Sequence, residues 1–174
     1  EARDDVRIEE YIEMIRLKTG VLLASALKLG AITALAQKKD MDYIYDFGLN
    51  IGIAFQLQDD ILDCWSNLED FGKVTGTDIA DNKKTFLYLK SLELASNEDK
   101  EVLTKYFSST NFDRKEKEDA IKAIYHKLNL KQIAQELMQD YNNKAMESLD
   151  KIGVESQRKQ NLISFANKLM HRNK

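Results

Sequence analysis

Apolar residues recur at the three-and-four spacing of an α-helix along nearly the whole chain. In residues 7–18, Ile8, Tyr11, Ile12 and Ile15 share one stripe. Thr19 and Gly20 interrupt it. A small-residue helix follows over 21–37, and its Ala, Ser and Gly positions predict close helix packing. Asp40 has the place of an N-cap for a long helix over 41–64. Residues 66–83 break the pattern with Gly72, Gly76 and a cluster of Ser, Asn, Asp and Thr, so they read as an ordered polar loop. Helices are expected next at 84–94, 97–108, 113–127, 130–150 and 154–171, separated at Asn97, Asn111 or Asp113, Asn129 and Gly153. Connections this short make antiparallel neighbours in a bundle. There is no internal repeat and no low-complexity stretch.

Composition agrees. No proline and only seven glycines occur in 174 residues, which excludes a turn-rich sandwich or barrel and leaves an all-α class. That length suffices for one domain with a real core, so 1–174 is expected to be a single all-α domain. The net charge of −3 argues against a nucleic-acid partner. The lone cysteine, Cys64, excludes an internal disulfide. The longest apolar run, 47–64, is broken by Asn50, Gln56, Gln58 and three aspartates, so no transmembrane segment is expected and the location is read as cytoplasmic.

Those aspartates carry the chemistry. On a helical wheel Gly52, Gln56, Asp59, Asp60 and Asp63 fall within an arc of roughly 100°, while Phe55, Leu57, Ile61 and Leu62 lie outside it. Gly52 leaves room on this stripe one turn above Gln56. Asp59 and Asp63 form an i,i+4 like-charge pair, which weakens a helix by a few tenths of a kcal/mol. No lysine or arginine lies between residues 42 and 72 to relieve them. Two readings stand at this point: a solvated face, and a divalent-cation site. Mg²⁺ takes one or two carboxylates and completes its shell with water and substrate phosphates. In the loop that follows, Lys73 lies between two glycines, Lys83 and Lys84 close the loop, and Asp78 and Asp81 are interleaved. Glycines and lysines after an acidic helix suit a segment that closes on phosphate. An ordinary surface loop is the competing reading, and the better one for Lys84. Lys18, ahead of Thr19-Gly20, could point inward at a break, although alone it reads as a surface lysine.

Taken in order, MIRLKTGVLL, FQLQDDILD and FGKVTGTDIADNKKT resemble the trans-type polyprenyl (isoprenyl) diphosphate synthases over about Tyr11 to Thr85. The resemblance implies the isoprenoid-synthase helical bundle. It implies that Asp59, Asp60 and Asp63 are the second aspartate-rich motif, holding one of three Mg²⁺ ions, with Asp59 the direct ligand. It implies that Lys18 and Lys73 grip the diphosphate of the allylic substrate and that Lys83 stands near the phosphates. Arg172 would match a C-terminal basic residue that helps bind isopentenyl diphosphate. Thr19 and Gln56 would line the reacting carbons. The implied reaction ionises an allylic diphosphate, adds isopentenyl diphosphate and loses a proton, with no Ser, Cys or His nucleophile. His126 and His171 read as surface residues.

The sequence also departs from the family. Nothing in residues 1–39 matches the first aspartate-rich motif, since Asp4-Asp5 is too early and lacks the third aspartate and the arginine pair. The expectation is therefore the C-terminal half of a longer synthase. Alone it would be inactive, with its product length unreadable. It would self-associate, as a homodimer or otherwise, through bared apolar faces. A class I terpene cyclase is the alternative within the fold. The D-D-x-x-D pattern disfavours it, because cyclases carry a second metal motif rich in Asn, Ser and Glu. A non-catalytic helical partner subunit is the alternative outside enzymes.

Overall fold

A computed structural model describes residues 5–66, 75–109 and 111–170. The described residues form helices and no strand: α1 (Ile8–Ile15), a π-helical turn (Arg16–Gly20), α2 (Val21–Thr33), α3 (Lys38–Trp65), α4 (Thr77–Ala80), α5 (Phe86–Leu94), α6 (Asn97–Ser108), α7 (Arg114–Lys127), α8 (Leu130–Asp150) and α9 (Ser156–Met170). The all-α expectation holds, and α5 to α9 begin and end within two residues of the expected limits.

Three local expectations are corrected. Thr19-Gly20 does not break the helix. The chain widens by one residue, the Val21 amide donates to the Arg16 carbonyl five residues back, and the helix runs on. The second helix stops at Thr33, not at 37, because Leu35 turns left-handed at φ 54° and the Ala36 amide closes onto the Ala31 carbonyl. The apolar pattern continued there only because Leu35 is apolar, and it is 90% exposed. Asp40 lies inside the first turn of α3 instead of capping it; its carboxylate accepts the Gly153 amide at 3.1 Å. Side chains do cap two later helices: Ser96 accepts from the Asp99 amide, and Asp113 from the Glu116 amide.

Packing divides the chain into two compact units. Of the described residues, one takes in those within 5–11 and 59–135. In it α5, α6 and α7 pack on one another, α4 packs on α7, and Tyr88 stacks on Phe107 with ring centroids 3.8 Å apart. Leu103, Ile121, Ile124 and Tyr125 are buried.

The other unit takes in 12–58 and the described part of 136–172. Its core is Ile44, Phe47 and Ile51 of α3 with Ala145 and Leu149 of α8 and Ala166 of α9, covered by Leu23, Leu27 and Ala31 of α2. Here the small residues explain themselves. A Cβ on Gly52 would stand 2.6 Å from Gly20 Cα, and one on Gly48 would stand 2.8 Å from Ala24 Cα. Backbones cross where side chains are missing. Gly52 is therefore a crossing residue, beyond the room it leaves on the acidic stripe. Gly30, in α2, has open space around it.

The contrast predicts opposite signs. Gly52→Ala should cost about 1–3 kcal/mol by overpacking the crossing, whereas Gly30→Ala should stabilise by about 0.5–1 kcal/mol through helix propensity. Thermal unfolding of the two variants checks both, and equal shifts in Tm would contradict the crossing.

Candidate functional site

The last two turns of α3 and the segment 75–85 build one crevice. Asp60, Asp63, Asp78 and Lys83 line it, over an apolar floor of Cys64, Ile79, Leu87, Phe107 and Tyr125. An acidic helix end with few nearby cations needs donors from elsewhere, and the structure supplies them one carboxylate at a time.

Asp63 is buried. Its Oδ1 accepts the Thr77 hydroxyl at 2.5 Å and the Thr77 amide at 3.2 Å, and its Oδ2 accepts the Asp78 amide at 3.0 Å. Its carbonyl accepts the Gly76 amide at 2.7 Å. Asp63 thus fastens the start of α4 onto α3. Gly76 is left-handed at φ 75°, a conformation that favours glycine, and a Cβ there would push the Glu118 carboxylate aside.

Asp60 takes a different donor. The Tyr11 hydroxyl of α1 donates to its Oδ2 at 2.6 Å. Burial pushes the Asp60 carboxyl up to about 8; the Tyr11 hydrogen bond pulls against this, and the charge of Asp78 adds to it. Tyr11 is itself raised, by burial first and then by Asp60. Asp78 accepts the Lys83 amine at 2.8 Å; burial raises its carboxyl while Lys83 pulls it down. Lys83 is raised chiefly by that same hydrogen bond, so it is an ammonium at any working pH. Burial pushes the Cys64 thiol up to about 12, which removes it as a nucleophile near neutrality.

Asp60, Asp63 and Lys83, expected from the sequence, meet in this crevice; Asp59 is half-buried on the same turn of α3 as Asp60. Lys18, Thr19 and Gln56 belong to the other unit: Lys18 is exposed on the π-helical turn, Thr19 is half-buried beside it, and Gln56 is half-buried one turn before Asp60 on α3. Lys73 and Arg172 lie outside the described residues. Sequence reasoning missed Tyr11, which it read as one more apolar stripe residue, and Thr77. It also missed Lys117, whose only signal was its register with Ile121 and Ile124.

Among the described residues no three His, Cys, Asp or Glu side chains converge to form a metal cage. Asp63 has given both oxygens to the backbone and hydroxyl of α4, and Asp60 accepts from Tyr11 and from the backbone of Phe86. This donor set fits a hard cation that brings most of its own oxygen ligands, such as Mg²⁺ on a phosphate.

Residues 1–128 match the family model described as polyprenyl synthetase. The chain belongs to the polyprenyl synthetase family. It is 37% identical over 172 residues to a short chain isoprenyl diphosphate synthase of Methanothermobacter thermautotrophicus, covering 99% of this chain and 52% of that protein. It is 34% identical to a geranylgeranyl diphosphate synthase of Sulfolobus acidocaldarius, covering 90% of this chain and 47% of that protein. Among solved structures it is similar to a geranylgeranyl pyrophosphate synthase from Corynebacterium glutamicum complexed with calcium and isoprenyl diphosphate (30% identity, TM-score 0.85, covering 99% of this chain and 52% of that one). This polyprenyl synthetase chain therefore spans about half the length of the relatives it matches. Among its described residues no helix is long and apolar enough to cross a membrane.

The Asp60 environment sets a pH dependence for the metal-free chain. Its folded value of about 8 lies above the ordinary 3.8, so the native state holds a proton that the unfolded state has lost between these limits. Stability should therefore fall as pH climbs from 4 to 8. Urea unfolding at pH 5 and pH 9 without divalent ions should register a loss on the order of 4 kcal/mol. Asp60→Asn should flatten most of it; an equal loss in that variant would place the dependence elsewhere.

Proposed function

We propose that this chain supplies part of the active centre of a prenyltransferase that condenses isopentenyl diphosphate with an allylic diphosphate. The observation that carries the reading is the crevice in a chain of this family: an acidic rib on α3 facing a segment that presents a lysine. Asp59 and Asp60 would hold a Mg²⁺. When bound, such an ion withdraws the charge that grows on a departing diphosphate. Lys83 is an ammonium like any lysine near neutrality, and its hydrogen bond to Asp78 raises its basicity further. Lys18, Lys73 and Arg172 would add cationic donors to the phosphate oxygens.

The C–O bond of the allylic substrate breaks and its electron pair leaves with diphosphate. The double bond of isopentenyl diphosphate then attacks the cation, and the adduct loses a proton. Thr19 and Gln56 would offer dipoles to the positive charge, and apolar helix faces would exclude water that quenches it. No side-chain nucleophile is needed, which agrees with a buried and strongly raised Cys64. The exposed Leu22, Leu29 and Ile32 of α2, with Leu35 just beyond its end, support self-association, a homodimer being the simplest form. We place the protein in the cytoplasm.

Calorimetry with inorganic pyrophosphate tests the reading against that of a non-catalytic partner subunit. The 174-residue chain should bind pyrophosphate only with Mg²⁺ present. Asp59→Ala and Lys83→Ala should each weaken binding roughly tenfold, the worth of one charge-assisted contact. Binding indifferent to Mg²⁺ and to both substitutions would favour the partner-subunit reading.

A further inference from the structure

Lys117 has no part in the chemistry above, yet it is only 4% exposed. Its Nζ donates to the Ala80 carbonyl at 3.2 Å and to Asn82 Oδ1, and it lies 5.3 Å from the centroid of the Phe107 ring. Both oxygens are neutral. Taking an ammonium out of water costs several kcal/mol even after relaxation, so a hydrocarbon at this place would serve stability better. Burial accordingly lowers the basicity of Lys117, against an upward pull from Asp81.

What Lys117 holds is specific. Ala80 ends α4, where backbone carbonyls lack helical partners and a cation is favoured. Asn82 is left-handed at φ 56°, and its amide bridges Lys117 to the Ser109 carbonyl, which it reaches at 3.4 Å. The next residue is Lys83. Its amide donates to the Asp78 carbonyl at 2.9 Å, and its amine to the Asp78 carboxylate.

We propose that Lys117 is a positioning residue for Lys83: by pinning Ala80 and Asn82 from α7 it fixes the turn that aims the Lys83 amine at the crevice. Resting on the diphosphate reading of that crevice, the proposal assigns its cationic arm a rigid mount.

The test uses the 174-residue chain with Lys117→Met, Asn82→Gly, Lys83→Ala and the double variant Lys83→Ala/Lys117→Met. Asn82→Gly removes the pinned oxygen while allowing the left-handed backbone, so it decides the matter should Lys117→Met fail to fold. Hydrogen exchange at the Asp81, Asn82 and Lys83 amides should quicken roughly tenfold in either single variant, with α3 unchanged. Pyrophosphate affinity with Mg²⁺ should fall roughly tenfold in both, and Lys117→Met should add no loss on the Lys83→Ala background. Unchanged exchange or unchanged affinity overturns the proposal. So does a Lys117→Met loss that persists without Lys83, which marks a merely structural lysine. A wild-type chain that binds no pyrophosphate with Mg²⁺ overturns the diphosphate reading and this proposal with it. Failure confined to the variants overturns this proposal alone.

Discussion

A carboxylate on the inner side of a helix must find donors, and the end of α3 carries three aspartates in five residues without a basic residue nearby in sequence. The segment after α3 is shaped by that need. Asp63 draws in the amides of Gly76, Thr77 and Asp78, and so folds the chain back onto the helix that it has just left. Each bond to an ionised carboxylate contributes roughly 1.5–3 kcal/mol. Together they outweigh the cost of ordering four residues in α4, a helix too short to form by itself. Once α4 is placed, Asp78 is placed. Lys83 then takes its hydrogen bond from Asp78.

The same logic assigns different tasks to residues that look alike in a motif. Asp63 spends its carboxylate on architecture. Asp60 is held by Tyr11 in surroundings that resist its ionisation. That resistance is what a bound cation would overcome, since positive charge beside a carboxyl favours the ionised form. Among the described residues no three acidic, His or Cys side chains close into a cage around it.

Much of this was legible in advance. Helix limits after residue 84 were readable because Asn97, Asp113 and Asn129 carry the chemistry of helix ends, although the cap at the first of these is Ser96, one residue earlier. The acidic stripe was readable because periodicity of 3.6 puts Asp59, Asp60 and Asp63 on one side. The less legible features depend on partners far along the chain. Gly52 is explained by Gly20, 32 positions earlier, and a helical wheel holds no second helix. The donors to Asp63 lie 14 and 15 residues away, so a pattern cannot tell a carboxylate that faces an ion from one that ties a loop. Lys117 sits in RKEKEDAIK, where the charged neighbours argue for a solvated face and only its register with Ile121 hints at the burial that sets it apart. The widened turn at Arg16–Gly20 left a trace, the Thr-Gly pair, but that pair signals an interruption and not its form.

We propose that α3 and the segment fastened to it form one side of a cation-diphosphate clamp. Electron-nuclear double resonance with Mn²⁺ in place of Mg²⁺ tests it most directly, because the bound ion reports the nuclei in its own shell. With pyrophosphate added, the chain should hold Mn²⁺ with a ³¹P coupling, and Asp59→Ala should abolish that protein-bound signal. Mn²⁺ that binds without phosphorus in its shell, or binds equally well in Asp59→Ala, would contradict it.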